Sequence, residues 1–77
     1  MYVNTQDGLA KVFVYEWEIK TNSDHEDPYF IIQGRPDSKS PFIKLGAYSD
    51  SVKACHIANS EMVVANLCGN DYTMPRN

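Results

Sequence analysis

Asp24, His25, Glu26 and Asp27 form the densest run of oxygen and nitrogen donors in the chain. Such a set could touch a cation. Neighbouring residues of a short loop rarely converge on one metal, however, and the twelve-residue calcium pattern is absent, so a solvated acidic loop is expected. Cys55 and His56 place a thiol beside an imidazole. On a helix, adjacent residues point roughly 100° apart, so these two cannot act as nucleophile and base. Cys55 falls on an apolar stripe and is expected in the core, with His56 at the surface. His25 could reach a thiol only through the tertiary fold. Glu16 and Glu18 lie two residues apart, near the spacing of paired carboxylates, but nothing around them implies a cleft. The four glycines, Gly8, Gly34, Gly46 and Gly69, are scattered, so no phosphate-cradling loop exists. A nucleophile elbow and a close pair of metal-binding cysteines are both missing. The expectation is a non-enzyme with no catalytic residue, no metal and no cofactor.

The elements that would position these residues follow from periodicity. Residues 11–20 alternate with period two: Phe13, Tyr15, Trp17 and Ile19 against Val14, Glu16, Glu18 and Lys20. That pattern predicts a half-buried strand with the apolar odd set inward. Residues 21–28 are turn-rich. Residues 29–35 predict a second strand, with Phe30 and Ile32 on one face and Tyr29, Ile31, Gln33 and Arg35 on the other. A proline-bounded loop follows. Residues 42–48 predict a third strand, with Ile43, Leu45 and Ala47 inward and Phe42, Lys44 and Tyr48 outward. Short loops favour an antiparallel meander. Ser49, Asp50 and Ser51 are all N-cap residues, and Gly69 suits the left-handed position after a helix end. Between them, Val52, Cys55, Ala58, Met62 and Ala65 form one apolar stripe, with Lys53, His56 and Ser60 opposite. Ile57, Val64 and Leu67 fall outside that stripe. Residues 1–10 read as a flexible arm or a short extra strand around Tyr2 and Val3. Residues 70–77 read as a tail ordered in part through Tyr72.

The predicted fold is therefore α+β: a three-stranded antiparallel sheet with one C-terminal helix packed on one face. One helix leaves the other face open. That face would carry Val12, Val14, Glu16 and Glu18 from the first strand, Tyr29, Ile31, Gln33 and Arg35 from the second, and Phe42, Lys44 and Tyr48 from the third. Apolar patches rimmed by charge mark binding surfaces, and Tyr, Phe and Arg are enriched at interface hot spots.

Size and charge narrow the function classes. At 77 residues and 43% apolar composition there is room for one small ordered domain. Such a domain hides only about 60% of its unfolded surface, too little for a buried cofactor with a supporting shell. Ten acidic against seven basic residues give a net charge of −3, which does not steer a molecule towards nucleic acid. Cys55 and Cys68 fall on one predicted helix, about 20 Å apart along its axis, beyond the roughly 7 Å a disulfide allows. Two free thiols suit a reducing cytoplasm. No stretch has the make-up of a signal peptide or a membrane span.

The run Leu45-Gly46-Ala47-Tyr48, then Ser49-Asp50, a helix with Ala54 and Ala58, and Gly69 resembles AP2-type and integrase-arm-type DNA-binding domains over residues 29–69. In those families a Leu-Gly-x-aromatic strand leads into an Ala-rich helix. The resemblance implies three antiparallel strands plus a helix, DNA held on the sheet face, and an origin in a phage or mobile element. Here Arg35, Lys39 and Lys44 are the cations placed to meet phosphates. Glu16 and Glu18 stand where those families carry Arg, Lys and Trp.

The sequence thus favours a small protein-binding regulator or inhibitor acting through Val14, Glu16, Glu18, Tyr29, Ile31, Phe42 and Tyr48. A DNA-binding domain using Arg35, Lys39 and Lys44 is the alternative. A homodimer pairing through the open sheet faces is the third reading.

Overall fold

The computed structural model describes residues 1–22 and 29–77. The acidic run at 24–27 lies outside the described residues. Strands β1 (Tyr2–Asn4), β2 (Lys11–Phe13), β3 (Glu16–Asn22), β4 (Tyr29–Arg35) and β5 (Ile43–Tyr48) precede a helical segment. That segment runs through α1 (Ser51–His56), a π-helical stretch (Ile57–Glu61) and α2 (Met62–Leu67), and β6 (Tyr72–Thr73) follows. The main sheet has the order β3-β4-β5, antiparallel throughout. The expected α+β arrangement of three antiparallel strands and a helix is present. A second small sheet, ordered β2-β1-β6, is added to it. Its β1 is the short extra strand, and its β6 orders the tail. It closes one end of the core with Val3, Val12 and Tyr72, while Met74 follows β6 into the core.

The predicted first strand breaks into two, and the break changes which residues face inward. Val14 and Tyr15 form the corner between β2 and β3. The Val14 N–H donates to the Met1 carbonyl, whereas the Tyr15 N–H donates to Arg35 of β4. Val12 and Val14 therefore turn towards the core before the corner, and Trp17 and Ile19 do so after it. Phe13 and Tyr15, expected inside, are exposed. Val12 and Val14, expected on the open face, turn inward: Val12 packs against the core, and Val14 is 1% exposed and belongs to it.

A second irregularity lies in β5. Ile32 pairs with Gly46 but Gln33 pairs with Lys44, so Leu45 is an extra residue, a β-bulge. Past a bulge the alternation of faces shifts by one residue. Leu45 stays inward, Ala47 moves to the open face, and Tyr48 is carried into the core with 0% exposure. Ile43, expected inside, is exposed. The Tyr48 ring folds over Gly46 two residues earlier on the same face. A Cβ there would lie 3.0 Å from the Tyr48 hydroxyl, so a side chain at this position would push the ring aside by a few tenths of an ångström. The Tyr48 hydroxyl donates to the Pro75 carbonyl at 2.6 Å and ties down the tail.

The helix begins where its caps allow. Asp50 accepts from the Val52 N–H at 2.9 Å. At the other end Gly69 takes φ +70°, with Asn70 N–H donating to Ala65 and Gly69 N–H to Asn66. Together these bonds make a Schellman stop. The buried stripe is Ala54, Ile57, Ala58, Met62 and Ala65. It departs from the expected stripe at the N-terminal end, where Val52 and Cys55 are exposed while Ile57 is buried. The π-helical stretch explains the shift: its wider turn accommodates an extra residue and slips the apolar phase ahead of it. Trp17 packs against this wide turn, its indole N–H donating to the Ala58 carbonyl at 2.8 Å. His56 is at the surface, and both cysteines are exposed thiols.

Candidate functional site

The open face of the main sheet is built from cross-strand rungs. Glu16 faces Arg35, Glu18 faces Gln33 and then Lys44, Lys20 faces Ile31 and then Ala47, and Asn22 faces Tyr29. Side chains directly opposite on one face touch, so each rung is a unit of chemistry. The first is spent internally. Arg35 is ion-paired and hydrogen-bonded to Glu16, and its guanidinium lies 4.3 Å from the Phe42 ring centroid. In the second, the Gln33 amide donates to Glu18 at 2.8 Å. The third and fourth rungs are different: Tyr29, Ile31 and Ala47 form an apolar cluster beside two lysines.

A hollow of about 250 Å³ sits on this half of the face, lined by Asn22, Tyr29, Ile31, Lys44 and Ala47. Ala47 contributes to it because its side chain is small and because the bulge at Leu45 turns it outward. Among the described residues, Lys20 and Lys44 have no ion-pair partner. A second hollow, of about 130 Å³, lies between the β1–β2 turn and β5 and is lined by Thr5, Gln6, Asp7, Lys44, Leu45 and Gly46. Its groups are largely committed to the fold. The Thr5 hydroxyl donates to Asp7 and holds that carboxyl below its ordinary range, helped by the Leu9 N–H.

Of the residues singled out from sequence, Glu16, Glu18, Tyr29, Ile31 and Phe42 border the open face, as do Arg35 and Lys44. Lys39 is exposed on the loop beyond β4. Val14 and Tyr48 are removed from the set, because the corner and the bulge bury them. Three residues of the face were not singled out: Lys20, Asn22 and Ala47. Lys20 and Asn22 share the parity of Glu16 and Glu18, so the strand pattern carried that signal. Ala47 had none, since its orientation depends on the bulge. Among the described residues, no group of three His, Cys, Asp or Glu side chains is placed to hold a metal, and no helix is long and apolar enough to cross a membrane.

Below the sheet, Tyr48 and Tyr72 answer to Glu61. Burial pushes the Tyr48 phenol up to about 12, with the Glu61 charge adding to the shift. Tyr72 is raised too, by burial first and then by Glu61, to which its hydroxyl donates at 3.3 Å. Both phenols are held neutral in the fold, whereas in an unfolded chain they ionise near pH 10. Their contribution to stability is therefore complete below pH 10 and is lost as pH rises towards 12. An alkaline unfolding transition should begin above pH 10, and Tyr72→Phe should move it upward. Phenolate absorbance followed together with far-ultraviolet circular dichroism checks this. Five tyrosines titrating near pH 10 with no loss of structure would contradict it.

Comparison of the chain with family models, with curated proteins and with solved structures returns no match.

Proposed function

We infer that the chain is a small non-enzymatic binding module that engages a protein partner through the open face of β3, β4 and β5. The observation that carries this reading is the hollow of about 250 Å³, in which Tyr29, Ile31 and Ala47 stand beside Asn22 and Lys44, on a face that no described element covers. A partner's apolar side chain fits there, and Lys44, which lines the hollow, is placed to receive a carboxylate beside it. Occupancy of a partner's surface, rather than chemistry, makes such a module a regulator or an inhibitor. The Glu18 carboxylate on the rim repels acidic surfaces in the wrong register, which is how interfaces gain specificity.

A nucleic-acid partner fits less well. Arg35 is neutralised by Glu16, which leaves Lys39 and Lys44 for phosphates. Two contacts give weak binding with a shallow salt dependence.

Ile31→Glu places a charge in the lining of the hollow without touching the core. Proteins retained by the wild-type chain and lost by this variant, identified by mass spectrometry, are the expected partners. Titrating one of them into labelled protein should shift the amides of Tyr29, Ile31, Lys44 and Ala47, and Ile31→Glu should weaken binding about a hundredfold, as loss of a hot spot does. Equal retention by the folded variant would reject the face. Shifts at the same amides with duplex DNA, abolished by salt, would favour the nucleic-acid reading instead.

A further inference from the structure

The two outer edges of the main sheet are treated differently. The β5 edge is blocked: the Gln6 amide both donates to the Ala47 carbonyl (3.0 Å) and accepts from its N–H (2.9 Å), and the Gln6 backbone N–H donates to Leu45. A glutamine side chain thus stands in for a neighbouring strand. The β3 edge has no such cover among the described residues, although β3 is seven residues long. Long uncovered edges invite pairing with another strand.

The direction of the β3 backbone groups follows from its first rung. Glu16 pairs with Arg35, and the next residue, Pro36, has no N–H to give. That rung is therefore the kind in which opposite residues exchange both bonds. Alternation then aims Glu18 and Lys20 at β4 and turns the N–H and carbonyl groups of Trp17, Ile19 and Thr21 to the outer edge.

We propose that this edge is a dimer interface, in which two copies pair their β3 strands antiparallel about Ile19 and fuse their main sheets into one. The side chains select that register. About Ile19, Glu18 faces Lys20 of the partner subunit and Lys20 faces Glu18 of the partner subunit. These two symmetric ion pairs lie in the closely spaced positions between hydrogen-bonded rungs. On the opposite face Ile19 meets Ile19 of the partner subunit, a β-branched pair suited to a strand. Centring on Glu18 or on Lys20 would instead set two like charges against each other, and centring on Trp17 would oppose Glu16 and Glu18 twice. An interface of this kind is self-complementary, as a two-fold dimer requires. It also leaves both open faces on the same side of the joined sheet, so it goes beyond the partner-binding reading and does not depend on it.

Sedimentation equilibrium over a concentration series tests the proposal. The wild-type chain should dimerise reversibly. Lys20→Glu and Glu18→Lys, each exposed and each converting two attractive pairs into repulsive ones, should each weaken the dimer at least about tenfold. The doubly substituted chain, Glu18→Lys with Lys20→Glu, should restore it to within about threefold of wild type. Circular dichroism confirms that each variant folds. A monomer at every concentration, or a dimer that neither single substitution weakens, would overturn the proposal. So would a dimer dissociated by Ile31→Glu but unaffected by Lys20→Glu, because the copies would then meet face to face.

Discussion

A Tyr48→Ala chain is expected to lose most of its folded population at 25 °C. Tyr48 is the largest of the fully buried side chains. Its ring fills the space above Gly46 in the same core cluster as Met74, and its hydroxyl holds the Pro75 carbonyl. Truncating a buried aromatic side chain to alanine costs about 3–5 kcal/mol, because the cavity collapses only in part. Domains are stabilised by about 5–15 kcal/mol in all, and one this small sits at the low end. The same substitution leaves the Pro75 carbonyl with only the longer bond from the Gln6 amide, at 3.3 Å, and so loosens the tail. Tyr48→Phe separates the two contributions. It keeps the ring and removes one hydrogen bond, for about 1 kcal/mol. Urea denaturation followed by circular dichroism gives both values. An alanine variant within about 1 kcal/mol of wild type would mean that Tyr48 is not a core residue.

Gly34→Val should be the next most damaging change. Gly34 is buried in β4, opposite Ile43 and close to the Val14 corner. A Cβ at this position would lie 2.8 Å from Val14 Cγ1 and 3.1 Å from Leu45 Cδ1. Val14 is β-branched, so it has little rotamer freedom with which to yield. Overpacking of this kind costs about 1–3 kcal/mol, and the upper figure is expected because a valine adds two methyl groups beyond the Cβ. Combining Gly34→Val with Val14→Ala should cost less than the sum of the two single changes, since each relieves the other. Urea midpoints for the four chains of this cycle measure the coupling. Strict additivity would show that the two side chains do not meet.

Both predictions concern positions where the tertiary structure departs from simple alternation. The strand composition of residues 29–35 is legible in full: Phe30 and Ile32 pack inward, while Tyr29, Ile31, Gln33 and Arg35 face out, as period two requires. The helix stop at Gly69 is equally plain, and the start is narrowed to Ser49, Asp50 or Ser51, of which the fold uses Asp50, because caps are local chemistry carried by one or two residues. The acidic pair Glu16 and Glu18 lies on the open face for the same reason. Those local signals place most of the candidate site.

Three single-residue shifts could not be read in the same way. The corner at Val14 and Tyr15 exists because β2 joins β1 while β3 joins β4. The bulge at Leu45 lets Tyr48 reach Pro75, twenty-seven residues away. The wide helical turn at Ile57–Glu61 accompanies the bond from Trp17 to Ala58, forty-one residues away. The sequence by itself determined the three-strand-and-helix order of the main layer, the chemistry of the caps and the parity of β3 and β4. Those follow from backbone preference and from the apolar pattern between neighbours. Which face Val14, Ala47 and Tyr48 occupy was decided only in the folded molecule. One inserted residue reverses every side chain beyond it, and contacts distant in the chain determine where that residue goes.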